Sequence, residues 1–252
     1  MDGNRVASFA SSERRYQSAF EIFLRCTDQK LKAMHFLDEH VAKLSKRDVF
    51  IDVGAGTGAL TAHLAKEFRV STAIEPNQSL VSELRMSCPG VTVLPVGVES
   101  ATVECKADFI LCSHVLYYIP RESWVPNLER MSNWLHADGI LAVALQNPET
   151  DCMKMVCRFT GGRFELRAAC EDFAARNRQF TTLIITVPAT IRTSCIDEAC
   201  AIAEFVLNVL PMPSPPRMDE VRSYVQKNFC RRDHFEFSCD QDFLLISACA
   251  PA

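Results

Sequence analysis

The chain has 252 residues, of which 48% are hydrophobic and 23% are charged, and its formal net charge is −4 at pH 7. This length suits one large α/β domain with a substantial core, and the acidic balance excludes a general nucleic-acid binder, which usually carries a basic stripe. No apolar run approaches the ~20 residues of a membrane span, and the first residues lack the apolar core of a signal peptide. We therefore expect a cytoplasmic protein that acts on a small-molecule substrate, with neither nucleic-acid nor membrane partners; the sequence leaves the oligomeric state open, with a monomer favoured.

The twelve cysteines are scattered along the chain, and none forms a Cys-x-x-Cys pair. A zinc site needs ligands paired at short spacing, and disulfide frameworks belong to small secreted chains. We predict no metal site and interpret the cysteines as reduced thiols that pack as small hydrophobic side chains.

The hydrophobic periodicity predicts two amphipathic helices first, over residues 11–26 and 28–44. Strands and helices then alternate. The predicted strands of this region cover residues 49–53, 70–75, 91–96, 107–113 and 140–146, and the predicted helices cover 58–68, 77–87 and 123–135. The rest is predicted as helix within 150–178, strand 180–189, helix 196–210, proline-rich loop 211–216, helix 218–229 and strand 241–250.

This alternation predicts an α/β fold in which a doubly wound, mostly parallel sheet of seven strands is covered by helices on both faces. The sequence shows no repeats and no long linker, so we expect one domain. Within it, residues 46–252 would form the sheet domain and residues 1–45 a helical lid on the same domain.

Three of the chain's nine glycines lie within five positions, in the stretch "VFIDVGAGTGAL". In the first turn between a strand and a helix of such a sheet, the chain reverses sharply and its backbone contacts a ligand. A Cβ atom at Gly54 or Gly56 would block the turn or the approach, and Gly58 would let the helix lie close to the strand. The pattern predicts a cofactor site at this turn.

Two acidic residues qualify that prediction. Glu75 ends the next strand, where a carboxylate accepts hydrogen bonds from the two hydroxyls of a ribose. Asp52 precedes the glycines, which suits a cationic or ammonium-bearing ligand better than a diphosphate. We therefore expect a cofactor that contains a nucleoside, although G-x-G-x-x-A alone also fits a dinucleotide.

The segments "IDVGAGTG", "AIEPN", "ADFILCSHVLYYI" and "LHADGIL" resemble, in this order over residues 49–145, the motifs of class I S-adenosylmethionine-dependent methyltransferases. The resemblance implies a Rossmann-like sheet with an antiparallel last strand and S-adenosyl-L-methionine as the cofactor. Val98 and Glu99 would flank the adenine, and Ser113 and His114 would face the methionine part. The cofactor-binding residues that it implies are Asp52, Gly54, Gly56, Gly58, Glu75, Pro76, Val98, Glu99, Ser113 and His114.

A second resemblance concerns the substrate. The segments "SFASSERRYQSAFEIFL", "HVLYYI" and "DFLLISA", with the late proline-rich loop, are similar to the histamine N-methyltransferase group. The chain departs from that group in its regular "DVGAGTG" and in shorter connections between strands, and no residue matches the group's C-terminal polar ligand. The resemblance implies that the N-terminal segment folds over the substrate, with substrate-binding residues at Phe9, Tyr16, Phe20, Asp28, Tyr117 and Tyr118. Helical spacing also fits Phe20 as a core residue.

Methyl transfer by in-line attack mainly requires proximity and orientation. A neutral amine needs no base, whereas an alcohol or phenol does, and His114 with Tyr117 beside it is the candidate catalytic group. The sequence thus predicts methyl transfer to a small nitrogen-bearing molecule, an aromatic or heteroaromatic amine. One alternative is an O-methyltransferase that acts on hydroxyl or carboxyl groups. An NAD(P)-dependent oxidoreductase is disfavoured because no Tyr-x-x-x-Lys pair follows. A catalytically idle regulatory domain is disfavoured because the glycines and Glu75 are intact.

Overall fold

A computed structural model describes residues 5–8, 14–209, 212 and 214–249. Of residues 14, 16 and 17 within this range, it describes the backbone but not the side chain. The described helices are α1 Arg14–Cys26, α2 Gln29–Val41, α3 Ala59–Leu64, α4 Gln78–Ser87, α5 Trp124–Ser132, α6 Asp151–Thr160, α7 Leu166–Arg176, α8 Ile196–Leu207 and α9 Met218–Phe229. The described strands are β1 Val49–Val53, β2 Val70–Ile74, β3 Thr92–Leu94, β4 Ala107–Ser113, β5 Leu135–Gln146, β6 Phe180–Val187, β7 Thr190–Thr193, β8 Phe235–Ser238 and β9 Gln241–Ala248.

Seven of these strands form one sheet in the order β3-β2-β1-β4-β5-β9-β6. Six strands are parallel, and the last strand in the chain, β9, lies antiparallel between β5 and β6. The predicted Rossmann-like fold class is therefore confirmed. β1 lies between β2 and β4, and all five of its residues are buried, as expected for a parallel strand that is covered on both faces.

The contacts divide the chain into two compact units. We call residues Met34–Leu145, Glu165–Thr186 and Asp242–Ala252 the sheet unit, since they hold nearly all of the large sheet, and residues Met1–Ala33, Gln146–Phe164 and Val187–Gln241 the helical unit. In the sheet unit, the rings of Phe50, Phe68 and Phe109 pack together, with centroids 5.3 to 6.3 Å apart. In the helical unit, α1 packs on α8 and the rings of Phe229 and Phe237 stack at 4.5 Å.

The structure differs from the sequence prediction in three places. The strand expected over residues 140–146 begins earlier, at Leu135, and the helix expected over residues 123–135 ends at Ser132. The single helix expected within residues 150–178 is two helices, because Gly161 ends α6 in the left-handed conformation with φ 72°. A second sheet, formed by β7 and β8 paired antiparallel, was not predicted.

Asp108 is the second residue of β4, at the amino-end edge of the sheet. Its Oδ2 atom accepts hydrogen bonds from the backbone N–H groups of Asp48 at 2.7 Å and Val49 at 2.9 Å. This carboxylate therefore fixes the start of β1 against β4, while the opposite edge is left for the glycine turn. No helix among the described residues is long and apolar enough to cross a membrane.

Candidate cofactor site

The glycine turn lies at the carboxyl edge of the sheet, between the ends of β2 and β4. Val53 is paired with Ile74 on one side and with Cys112 on the other. The backbone N–H of Gly54 donates to the carbonyl oxygen of Ile74 at 2.7 Å, and that of Ala55 donates to the same oxygen at 3.2 Å. The predicted site residues that follow β1, β2 and β4 therefore meet at one edge, as the fold requires.

All three glycines of the turn have positive φ angles, 73° at Gly54, 58° at Gly56 and 90° at Gly58. A Cβ atom at Gly54 would lie 2.2 Å from Cγ2 of Val115, and one at Gly58 would lie 2.7 Å from Cδ1 of Leu84. A Cβ atom at Gly56 would meet nothing within 4 Å. Gly54 and Gly58 are thus required by packing, and only Gly56 borders open space that a ligand could fill.

This result corrects the reason given for Gly58. The sequence suggested that it lets the following helix lie close to its strand. In the structure its missing side chain makes room for the end of α4, because Leu84 and Ser87 of that helix and Cys88 directly after it would all lie within 2.8 Å of a Cβ atom there.

Glu75 links the glycine turn to the end of β2. Its Oε2 atom accepts a hydrogen bond from the N–H of Gly56 at 2.8 Å, and its Oε1 atom accepts one from the N–H of Asn77 at 2.8 Å. The residue is only 6% exposed. Each carboxylate oxygen has a second lone pair, so the group can hold the turn and still accept from two ribose hydroxyls.

Asp52 is buried at the end of β1, where its Oδ2 atom accepts a hydrogen bond from the hydroxyl of Thr61 at 2.6 Å. Burial is the largest cause that raises the pKa of Asp52 to about 7; the Thr61 bond opposes this shift, and the neighbouring charge of Glu75 adds to it. The group therefore titrates near neutral pH, and a cationic ligand beside it would favour its charged form.

The β4 edge carries the predicted catalytic residues. Ser113 is the last residue of β4, and His114 follows it with a left-handed φ of 59° while its N–H donates to the carbonyl oxygen of Ala144 at 2.9 Å. Nδ1 of His114 lies 3.3 Å from the hydroxyl of Tyr117, and the two rings stack with centroids 5.7 Å apart. Burial lowers the pKa of His114 to about 4, so its imidazole is neutral at physiological pH. Tyr118 points away from the core and is 69% exposed.

Three further predicted cofactor residues flank this edge. Pro76 follows Glu75 and is exposed, and Val98 is buried in the loop after β3. Glu99 is exposed, and its carboxylate folds back over Gly97, where a Cβ atom would lie 2.3 Å from Oε1 of Glu99. Their roles at the adenine remain predictions.

The predicted substrate residues of the N-terminal segment belong to the helical unit. Phe9 and the side chain of Tyr16 lie outside the described residues. The ring of Phe20 packs against Phe205, with centroids 5.5 Å apart, within a cluster that includes Phe23. A core role therefore accounts for the position of Phe20, and its substrate role stays a prediction.

Asp28 also has partners of its own inside the helical unit. Its Oδ1 atom accepts from the N–H of Thr190 at 2.8 Å, and its Oδ2 atom lies 2.7 Å from the ammonium group of Lys32. These contacts join the start of α2 to β7. Recognition of an amine by Asp28 would have to compete with the Lys32 pair, and it stays a prediction.

Two residues of the site were missed in the sequence. Thr61 orients Asp52 from α3, and Val115 covers Gly54 from the loop after β4. A buried threonine on the inner side of a short amphipathic helix was a visible signal for the first. Nothing local indicated the second, because its contact joins two loops that are far apart in the chain.

Comparisons with known proteins agree with this geometry. A family profile described as a methyltransferase domain matches residues 50–139. The search of curated proteins found no match. Among solved structures, the YcgJ protein from Bacillus subtilis matches with a TM-score of 0.60 at 12% identity, covering 86% of this chain and 99% of its own.

Two further solved structures share the fold at similar distance. Precorrin 8W decarboxylase from Methanobacterium thermoautotrophicum has a TM-score of 0.51 at 16% identity, covering 87% of this chain and 90% of its own. The N-methyltransferase NodS from Bradyrhizobium japonicum WM9 has a TM-score of 0.50 at 12% identity, covering 85% and 98%. At these identities the likeness establishes the fold alone.

The profile match identifies a methyltransferase domain over residues 50–139, and the sheet that contains it has the Rossmann-like fold of S-adenosylmethionine-dependent methyltransferases. S-adenosyl-L-methionine is the cofactor that this domain and fold imply, which confirms that prediction. The described residues fit such a cofactor, since the turn offers open space at Gly56 beside the carboxylate of Glu75. They include no group of three or more His, Cys, Asp or Glu side chains that could hold a metal ion.

Proposed function

We propose that the protein transfers a methyl group from S-adenosyl-L-methionine to a nitrogen atom of a small aromatic or heteroaromatic amine. Glu75 would accept from the ribose hydroxyls, Gly56 would allow the backbone to approach the cofactor, and Asp52 would compensate the cofactor's positive charge. When bound, the cofactor supplies an electrophilic methyl group on a sulfonium. The chain's own residues then have to orient the acceptor and exclude water.

The observation that carries the choice of nitrogen is the state of His114. A general base works best when its pKa lies near the working pH, and burial lowers the pKa of this imidazole to about 4. Such a weak base suits an acceptor that attacks with its own lone pair. A neutral amine does so, whereas an alcohol must lose a proton. His114 and Tyr117 would then position the acceptor with their stacked rings.

The proposal assigns recognition of the substrate to the N-terminal segment. The resemblance of residues 8–24 to the histamine N-methyltransferase group suggests that Phe9, Tyr16, Phe20 and Asp28 contribute to recognising an aromatic amine. Replacing Tyr16 by Phe and Asp28 by Asn tests this. The matched control is Asp38, a carboxylate inside α2 that pairs with His63 at 2.7 Å. We expect both test variants to lower kcat/KM, and Asp38→Asn to leave it unchanged.

The deciding experiment is turnover of the purified protein with S-adenosyl-L-methionine and a panel of small amines, phenols and carboxylic acids, read by mass spectrometry as ~14 Da per methyl group transferred. We expect products from aromatic amines, at a rate that is flat between pH 6 and 9 apart from the titration of the amine itself. Methylation of phenols or carboxylates alone would favour the O-methyltransferase.

His114 separates the two acceptors independently of the panel. With a nitrogen acceptor, His114→Ala should change kcat by no more than a few fold, while loss of a general base should cost on the order of 10² to 10⁴. Calorimetry with S-adenosylhomocysteine and with NAD addresses the remaining alternative, because an oxidoreductase would bind NAD. Cofactor binding without turnover on any acceptor would indicate a regulatory domain.

A further inference from the structure

The helical unit contains an open pocket of about 710 Å³, and none of its lining residues belongs to the candidate cofactor site. Its described walls come from the stretch around Arg5, from α6, from the proline-rich segment and from one face of α9. Pockets for small ligands range from ~300 to ~1,000 Å³. The volume is therefore sufficient for a molecule of the size of a substituted aromatic ring with a charged group.

The charge of this pocket is opposite to that of the protein. Three cationic side chains line it, Arg5, Arg158 and Lys227, against the single carboxylate of Glu220, whereas the whole chain has a formal charge of −4. Glu220 is directed to the start of α9, where its Oε2 atom accepts from the N–H of Arg217 at 3.4 Å. The surplus of positive charge would attract an anion.

The cations differ in how they are held. Arg5 is fixed, because its Nη1 atom donates to the carbonyl oxygen of Pro215 at 2.8 Å and its backbone bridges to Arg217. Within the part of the chain that the structure describes, neither Arg158 nor Lys227 forms an ion pair. Two charged groups, one on α6 and one on α9, thus face the pocket that Glu220 also lines, and neither is held in an ion pair with a described carboxylate.

An aromatic wall completes the pocket. The ring of Tyr224 packs edge-on against the rings of Phe159 and Phe229, with a distance of 5.5 Å between ring centroids in each pair, so contacts on two sides fix its orientation. Burial and the negative charge of Asp151 raise the pKa of Tyr224, and the positive charge of Arg158 opposes that shift. The phenol remains protonated and can donate a hydrogen bond beside the two cations.

We infer that this pocket binds a small molecule through a phosphate group, which Arg158 and Lys227 hold while Tyr224 donates to one of its oxygens. A phosphate matches the site better than a carboxylate because it presents three acceptor oxygens to two cations and a phenol. The group could come from free phosphate or from a phosphorylated aromatic molecule whose ring lies against Tyr224. The inference does not depend on the identity of the methyl acceptor.

The test is calorimetry at low ionic strength with phenyl phosphate, inorganic phosphate and phenol as probes. We expect phenyl phosphate to bind and phenol not to bind. Arg158→Gln and Lys227→Gln should each lower the affinity for phenyl phosphate at least ~5-fold, because each removes a charge-assisted hydrogen bond. Arg222→Gln is the matched control. It removes the same charge from α9, but Arg222 pairs with Asp197 at 2.7 Å and does not line the pocket.

Thermal melting of each variant shows that it is folded. Phenyl phosphate binding more tightly than inorganic phosphate, with the difference lost in Tyr224→Leu, identifies a phosphorylated aromatic as the source. Equal affinity for both probes identifies free phosphate. The proposal is overturned if the wild type binds neither anion, if phenol binds as well as phenyl phosphate, or if Arg222→Gln weakens binding as much as Arg158→Gln.

Discussion

The three glycines of the β1 turn can be separated experimentally, because the structure gives each a different neighbour. Replacement by alanine imposes a left-handed backbone on a residue with a side chain at all three positions, since their φ angles are 58° to 90°. This strain costs roughly 1–2 kcal/mol per residue. Only Gly58 and Gly54 add a clash to that cost.

The magnitudes follow from those neighbours. Gly56→Ala should lose about 1–2 kcal/mol in free energy of unfolding, because its Cβ atom meets nothing within 4 Å. Gly58→Ala should lose a further 1–3 kcal/mol or so, because overpacking against Leu84, Ser87 and Cys88 has to be relieved by moving α4. Cofactor affinity should follow the reverse order. For a given loss of stability, Gly56→Ala should lower the cofactor affinity most, since the added methyl group would occupy the space that we propose for the cofactor.

The assay combines urea denaturation with calorimetric titration of S-adenosylhomocysteine, each variant being titrated under conditions where it is folded. The reasoning is refuted if Gly56→Ala binds with wild-type affinity, because the open space at that position would then not belong to the cofactor. It is equally refuted if Gly58→Ala is no less stable than Gly56→Ala.

Three other predictions concern the same edge. Since the folded protein raises the pKa of Asp52 from its ordinary 3.8 to about 7, it keeps a proton that the unfolded chain loses. This contribution to the free energy of unfolding is fully present below pH ~4 and is lost as the pH rises to ~7, by up to ~1.4 kcal/mol per pH unit. In urea denaturation at pH 5 and 7.5, the stability of Asp52→Asn should therefore change less with pH than that of the wild type. An equal change in both proteins would contradict the prediction. Glu75→Ala should weaken the binding of S-adenosylhomocysteine by ~1.5–3 kcal/mol, and it should also lower the free energy of unfolding because the N–H groups of Gly56 and Asn77 lose their acceptor. An unchanged affinity in calorimetry would mean that the ribose lies elsewhere. His114→Gly should be about 1 kcal/mol more stable than His114→Ala in denaturant melts, because φ is 59° there, and equal stabilities would count against strain.

The sheet could be predicted closely because its strands are buried on both faces. Continuous apolar runs mark β1 and β4, and their predicted bounds agree with the structure to the residue. The small sheet could not be predicted in the same way. β8 alternates buried and half-buried residues over only four positions, and its partner β7 precedes two helices in the chain. Such a pairing depends on tertiary contacts that no local pattern contains.

In the candidate site too, features set by neighbouring residues in the chain could be predicted, whereas contacts between distant segments could not. The glycine turn and Glu75 could be predicted from sequence because their spacing follows from one strand, one turn and the end of the next strand. The reason for each glycine could not, since the Cβ position of Gly58 is limited by α4 and that of Gly54 by Val115. The N-terminal segment illustrates the opposite difficulty. Its aromatic spacing is real, yet Phe20 packs against Phe205 in the helical unit, as a core residue would.

The hydrogen bonds of the turn explain why it can serve a cofactor without large rearrangement. The N–H groups of Gly54 and Ala55 both donate to Ile74, and that of Gly56 donates to Glu75. Three successive backbone donors are thus fixed by β2 and the residue that follows it. A turn that is ordered in advance loses little conformational entropy when a ligand binds. The carboxylate of Glu75 therefore has two coupled effects, since it shapes the turn at Gly56 and is itself held where the ribose would lie.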